Sequence, residues 1–159
     1  MKSWIIRLRT VVLVFLTHRL ALPLLRRVRS SPLFTHSVEE LRCLPEGSLG
    51  NDLYRFLVSR QLQLLPHYAR HDLKHVLLGY DTTDLGEASL QFFMLGNGRI
   101  SFPVLATVIY GALTMPEHWG QLRGAYRRGK TCPPVHDWPW NELIGKPTVE
   151  LRKKLFVQS

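Results

Sequence analysis

Nowhere in this chain do apolar and polar residues alternate cleanly over six positions, whereas apolar residues recur every three to four positions along most of its length. A half-wet strand needs the first pattern and an amphipathic helix the second, so the chain is read as all-α. Proline and glycine punctuate it. The pattern predicts a first helix over residues 3–29, bent near Pro23 and broken by Ser30-Ser31-Pro32. A short helical turn over 37–42 precedes the loop Pro45-Glu46-Gly47. Ser48 is placed to cap a second helix carrying Leu49, Leu53, Phe56, Leu57 and Leu64, which stops before Pro66. A third covers 67–78 and ends at Gly79, and a fourth runs over 84–95 ahead of Gly96-Asn97-Gly98. The fifth, 102–113, is almost wholly apolar and is expected at the centre of the core. Pro116 opens a sixth reaching Arg128, and 137–143 and 147–156 close the chain. The expectation is a single-domain, compact bundle of about seven to eight helices.

Charge divides the chain in two. Residues 1–30 hold seven Lys/Arg and no acid, whereas the other 129 hold fourteen basic and twelve acidic residues. The basic residues of 1–30 alternate with Leu, Val, Ile and Phe, a composition suited to an anionic membrane surface or to a second copy of the chain. Nucleic acid is not the expected partner, because a binder spreads its cations over the folded domain. The uncharged run Thr10–His18 is too short to cross a bilayer. Segment 1–30 is therefore read as a basic amphipathic helix at a membrane surface or dimer contact, and 31–159 as the helical domain. A cleaved leader and a plain basic surface helix are the alternatives. Cys43 and Cys132 have no neighbouring partner cysteine, so no disulfide framework is expected.

The chemistry concentrates at His71-Asp72-Leu73-Lys74-His75 and, after eleven intervening residues, Glu87. Residues four apart on a helix differ by about 40° around the axis, so His71 and His75 share a face. Two imidazoles one turn apart form a clamp for a transition metal, Asp72 can reach the same side, and the loop at 79–83 lets Glu87 face back. Two neutral imidazoles and two carboxylates would cancel the charge of a divalent ion and let it sit beside an apolar ligand. Plainer readings stand beside this one. Glu87 fits the third position of a helix capped by Asp84, and a His-x-x-x-His pair also occurs as an ordinary surface or core pair. Cys132-x-x-x-His136 lacks a second pair, the remaining histidines are isolated, and there is neither a phosphate loop nor a nucleophile elbow.

The same residues resemble the signature of the Coq-four family of ubiquinone (coenzyme Q) biosynthesis: His-Asp-x-x-His, eleven residues, then Glu. The resemblance extends to Leu44-Pro45-Glu46-Gly47-Ser48-Leu49-Gly50 with Tyr54 and Phe56-Leu57, which match loosely. It also takes in Gly79, Leu85-Gly86-Glu87, and Asp137-Trp138, Leu143, Pro147 and Glu150-Leu151-Arg152 near the C-terminus. The short chain, lacking a long targeting extension, points to a bacterial-type member. The resemblance implies a helical protein holding a divalent metal, taken as zinc, at His71, Asp72, His75 and Glu87. It further implies a prenylated quinone precursor or other isoprenoid lipid as ligand, and other quinone-biosynthesis proteins as partners. The place of action would be peripheral, on the cytoplasmic face of the membrane, or on the mitochondrial inner membrane in a eukaryote. Phe92, Phe93, Phe102 and Leu105 are candidates to line a slot for the prenyl tail, or else are ordinary core. Three functions are open: a metal-dependent C1 decarboxylase or hydroxylase of the prenylated ring, a lipid-binding scaffold with a structural metal, and a His-Asp phosphohydrolase drawing on His36 and Asp137. Lys74 could meet an anionic head group in the first, although a solvated lysine is the plainer expectation.

Overall fold

Ser37 opens the first described helix with a reciprocal cap: its hydroxyl accepts from the Glu40 amide at 3.2 Å, and the Glu40 carboxylate accepts from the Ser37 amide at 2.8 Å. The computed structural model describes residues 34–156, so the predicted helix over 3–29 and the 1–30 boundary lie outside the described residues. In chain order the helices are α1 (Val38–Cys43), α2 (Leu49–Ser59), α3 (Ala69–Leu78), α4 (Asp84–Gly96), α5 (Phe102–Thr114), α6 (Trp119–Thr131), α7 (Trp140–Leu143) and α8 (Thr148–Phe156), with a 3₁₀ turn at Pro116–His118. Among the described residues there is no strand, only an isolated bridge between Ser48 and Pro147. The all-α reading and the helix number hold.

The described chain forms two units. The first is built from residues 34–80 and 131–156. Ser48 caps α2, accepting from the Asn51 amide, and the next two amides reach a distant segment: Leu49 donates to the Lys146 carbonyl at 2.9 Å and Gly50 to that of Ile144 at 2.8 Å. Orphan donors of a helix start are thus satisfied by the turn before α8. Thr148 answers by donating its amide to Gly47 and its hydroxyl to Asp52. The core of this unit holds Leu41, Leu49, Leu53, Leu73, Leu77, Trp140 and Leu155, all essentially inaccessible to water.

One expectation for this unit fails. α2 ends at Ser59 and does not run on towards Pro66, so Leu64 lies outside it. The stop is a Schellman motif, in which Leu62 N–H bonds the Leu57 carbonyl and Gln61 N–H that of Val58. Gln61 takes the left-handed conformation (φ 54°) that glycine usually fills there, so composition gives no warning.

The second unit is built from residues 81–130. α4 and α5 pack together, and Ala88, Met115 and Leu122 form a buried cluster flanked by Leu85, Phe92 and Tyr110. Here a second expectation fails. α5, the most apolar helix, is not central: only Val104 and Gly111 are buried, while Phe102, Leu105, Ile109 and Leu113 are exposed. Hydropathy records a preference for leaving water, not the presence of a neighbour to leave it against.

Candidate metal centre

α3 brings the two histidines together as their spacing requires. Their rings meet edge-on, with centroids 4.6 Å apart. Tyr68, three residues before His71, places its ring 5.2 Å from the His71 ring, and Phe56 of α2 stacks on His75 at 6.0 Å. His75 is 1% exposed and His71 half-buried. The ring of His75 is also fixed from behind: its Nδ1 lies 3.1 Å from the Tyr80 carbonyl oxygen. A carbonyl only accepts, so this contact is a hydrogen bond when Nδ1 carries the proton, and in the neutral ring Nε2 then keeps its lone pair. That is the tautomer a metal ligand needs, held by the kind of outer hydrogen bond that orients ligating histidines.

The approach to Glu87 is equally built. α3 stops at Gly79, whose φ of 76° suits glycine, and its amide bonds back to the His75 carbonyl. Asp81 then accepts from both the amide and the hydroxyl of Thr83, and the Thr83 hydroxyl in turn accepts from the Gly86 amide. Thr83, not Asp84, is therefore the cap of α4. This removes the plain reading of Glu87. Counting from Thr83, the third helical position is Gly86 and Glu87 is the fourth, so Glu87 is not the glutamate of a capping box. Gly86 has its own reason: a Cβ there would stand 2.3 Å from the Asp81 carbonyl oxygen.

His71, His75 and Glu87 each present one ligand atom, and the three atoms lie within 4.8 Å of one another. A tetrahedral zinc-like ion with bonds of ~2.0–2.1 Å spaces its ligand atoms roughly 3.3 Å apart, a separation of the same order. This group can hold a metal ion. Two imidazoles and a carboxylate suit a borderline divalent cation. Asp72 stands beside the group, its Oδ1 3.6 Å from His71 Nδ1.

Other candidates fall elsewhere. No cluster of three or more potential ligands forms around Cys132, His136, His36 or Asp137 among the described residues. Asp137 pairs with His136 at 2.8 Å, and His36 lies 3.7 Å from Glu40. Phe93 is fully buried beneath the Arg128 guanidinium and Phe92 packs on the Ala88 cluster, whereas Phe102 and Leu105 face out from α5. Lys74 is not solvated: it is 7% exposed, with its ammonium 5.9 Å from the Trp140 ring centroid. Sequence reasoning missed the Tyr80 carbonyl and the Thr83 cap. A backbone acceptor leaves no trace in residue type, whereas Asp81-x-Thr83 with Gly86 three residues on is a readable turn-and-cap pattern.

Neither a family model nor a curated protein sequence matches this chain. Among solved structures it is similar to a Nostoc punctiforme protein whose name proposes a role in ubiquinone biosynthesis. The two are 26% identical, the match covers 98% of this chain and 82% of that one, and the TM-score is 0.62.

Proposed function

We propose that this chain is a metal-binding, membrane-associated protein of ubiquinone biosynthesis, of the Coq-four type, that binds a prenylated benzenoid precursor and acts on its ring. The observation that carries the reading is the meeting of His71, His75 and Glu87, the residues at the motif's spacing, within reach of one ion. The name of the Nostoc protein and the extent of the match support the pathway. A bound divalent ion, zinc on this donor set, would act as a Lewis acid towards a ring hydroxyl or carboxylate. The chain's own residues supply the rest. Tyr80 fixes the tautomer of His75, Phe56 and Tyr68 hold the rings, and Asp72 is the candidate fourth ligand. The proposed setting is the membrane surface, beside other quinone-biosynthesis proteins; among the described residues no helix is long and apolar enough to cross a membrane.

Elemental analysis and native mass spectrometry of the full chain test this. Wild type carries about one divalent ion per chain and co-purifies with prenylated lipid, and His75→Ala loses the ion while keeping its helical circular dichroism. A wild-type chain that takes up no ion when supplied with zinc sinks the reading. X-ray absorption then separates the two roles. An open coordination position supports C1 chemistry, and a shell closed by protein ligands supports a scaffold that presents the precursor to other enzymes.

A further inference from the structure

α5 carries an apolar row that is exposed among the described residues. Phe102, Leu105, Ile109 and Leu113 fall within about 80° of one another around the helix axis, and are 58%, 38%, 58% and 76% exposed. Ile100, just ahead of the helix, is 76% exposed. α6 carries a second row: Trp119, Arg123, Arg127 and Lys130 occupy a similar arc of about 80°, and all four are exposed. A hydrogen bond joins the rows. Trp119 Nε1 donates to the Ala112 carbonyl at 2.8 Å, which pins an exposed indole to the last turn of α5, next to Leu113. From Arg99 to Lys130, five basic residues stand against one acid, Glu117.

We propose that this two-row surface docks on an anionic lipid bilayer. The α5 row enters the boundary between head groups and acyl chains, Trp119 sits at the polar interface, and Arg123, Arg127 and Lys130 meet lipid phosphates. Each feature serves a bilayer and only some serve the competitors. Two copies of the chain meeting isologously through α5 would bring the cationic α6 rows towards each other. A nucleic acid would use the cations but leave the apolar row in water. A bilayer takes both, because apolar burial and attraction to anionic head groups act on the same approach. Interfacial tryptophan and basic residues are the usual anchors of such a surface. At thirteen residues α5 is about 20 Å long, enough to lie in an interface and too short to span it. The inference rests on the membrane setting proposed above and names the face of the molecule that meets the bilayer.

The test is sedimentation of the full chain with vesicles of phosphatidylcholine alone and of phosphatidylcholine mixed with phosphatidylglycerol. Wild type binds the mixed vesicles. Ile109→Glu/Leu113→Glu and Arg123→Glu/Arg127→Glu each weaken that binding about tenfold or more, although segment 1–30 is intact in all of them. All four sites are exposed, so the variants keep their fold, checked by circular dichroism. A second readout needs no charge reversal: a polarity-sensitive dye on Leu113→Cys, with Cys43 and Cys132 replaced by serine, shifts to the blue on mixed vesicles. Double variants that bind like wild type, or a dye that stays water-like on bound protein, overturn the proposal. Unchanged vesicle binding with a dimer lost in light scattering reassigns the row to self-association. Metal content of each preparation keeps the two readings apart, since a metal-loaded chain that ignores vesicles refutes the docking surface and the membrane setting but leaves the metal centre standing, and a metal-free chain that docks refutes the centre alone.

Discussion

α3 and α5 invert what their sequences suggest. α3 holds five charged or imidazole side chains in ten residues yet buries seven positions, among them Lys74 and His75; α5 holds no charge in thirteen residues yet buries two. The difference lies in their neighbours. α3 packs against both α2 and α8, so even its lysine lies with its stem buried and its ammonium near Trp140. α5 packs on α4 and on the turn that follows it, and its outer face meets nothing among the described residues. Buried polar groups and bared apolar rows are both departures from the usual distribution, and they are the two places on which the metal centre and the docking surface proposed above rest.

The comparison breaks most readily on α3. Leu73, fully buried two residues from each histidine, is expected to cost about 2–5 kcal/mol on truncation to alanine, read as a lowered denaturation midpoint at unchanged slope. A near-neutral Leu73→Ala would mean that α3 is not the packed helix described here. Next comes the C-terminal end of the same helix, where Arg152 of α8 donates Nε to the Leu77 carbonyl at 3.0 Å and Nη2 to the Val76 carbonyl at 2.8 Å. These are two of the orphan acceptors of a helix end. Arg152→Ala should cost about 1–2 kcal/mol, with Arg152→Lys recovering only part, because an ammonium cannot reproduce the fork. Gly79→Ala is smaller again. A Cβ there meets nothing within 4 Å, so only the left-handed backbone resists it, at about 1 kcal/mol by chemical denaturation. A larger loss would show that the turn leading to Tyr80 has a second constraint.

Much of this was legible because it is local. Ser48 caps α2 and Gly79 stops α3 as their residue types dictate, and the imidazole pair follows from a spacing of four on a helix. What failed was either non-local or carried by backbone. Gln61 in a left-handed turn has the wrong residue type for its role. In the run Thr82-Thr83-Asp84 any residue can cap, and the choice of Thr83 is made by Asp81 and by the absence of a Cβ at Gly86. The exposure of α5 runs against its pattern: Thr107, Tyr110 and Thr114 share one side of the helix, yet the row left in water is the apolar one on the other side. At the centre, three of the four expected ligands gather and Asp72 stands beside them, a distinction of side-chain direction that spacing alone does not resolve.

The smallest expected effect is the most telling for α5. Leu113→Ser removes an isobutyl group that is already 76% exposed, so it forfeits little burial and leaves no cavity. Its effect on unfolding should stay within about 0.5 kcal/mol, against several for the same kind of truncation at Leu73. Thermal melts of the two variants side by side give the contrast directly. If Leu113→Ser costs as much as Leu73→Ala, the α5 row is covered in the folded protein. The symmetry between a polar helix inside and an apolar helix outside then disappears, and with it the surface offered to lipid. If Leu113→Ser is neutral in solution yet stabilising interactions appear at that position only when vesicles are present, apolar exposure on α5 is a property kept for a partner rather than a defect of packing.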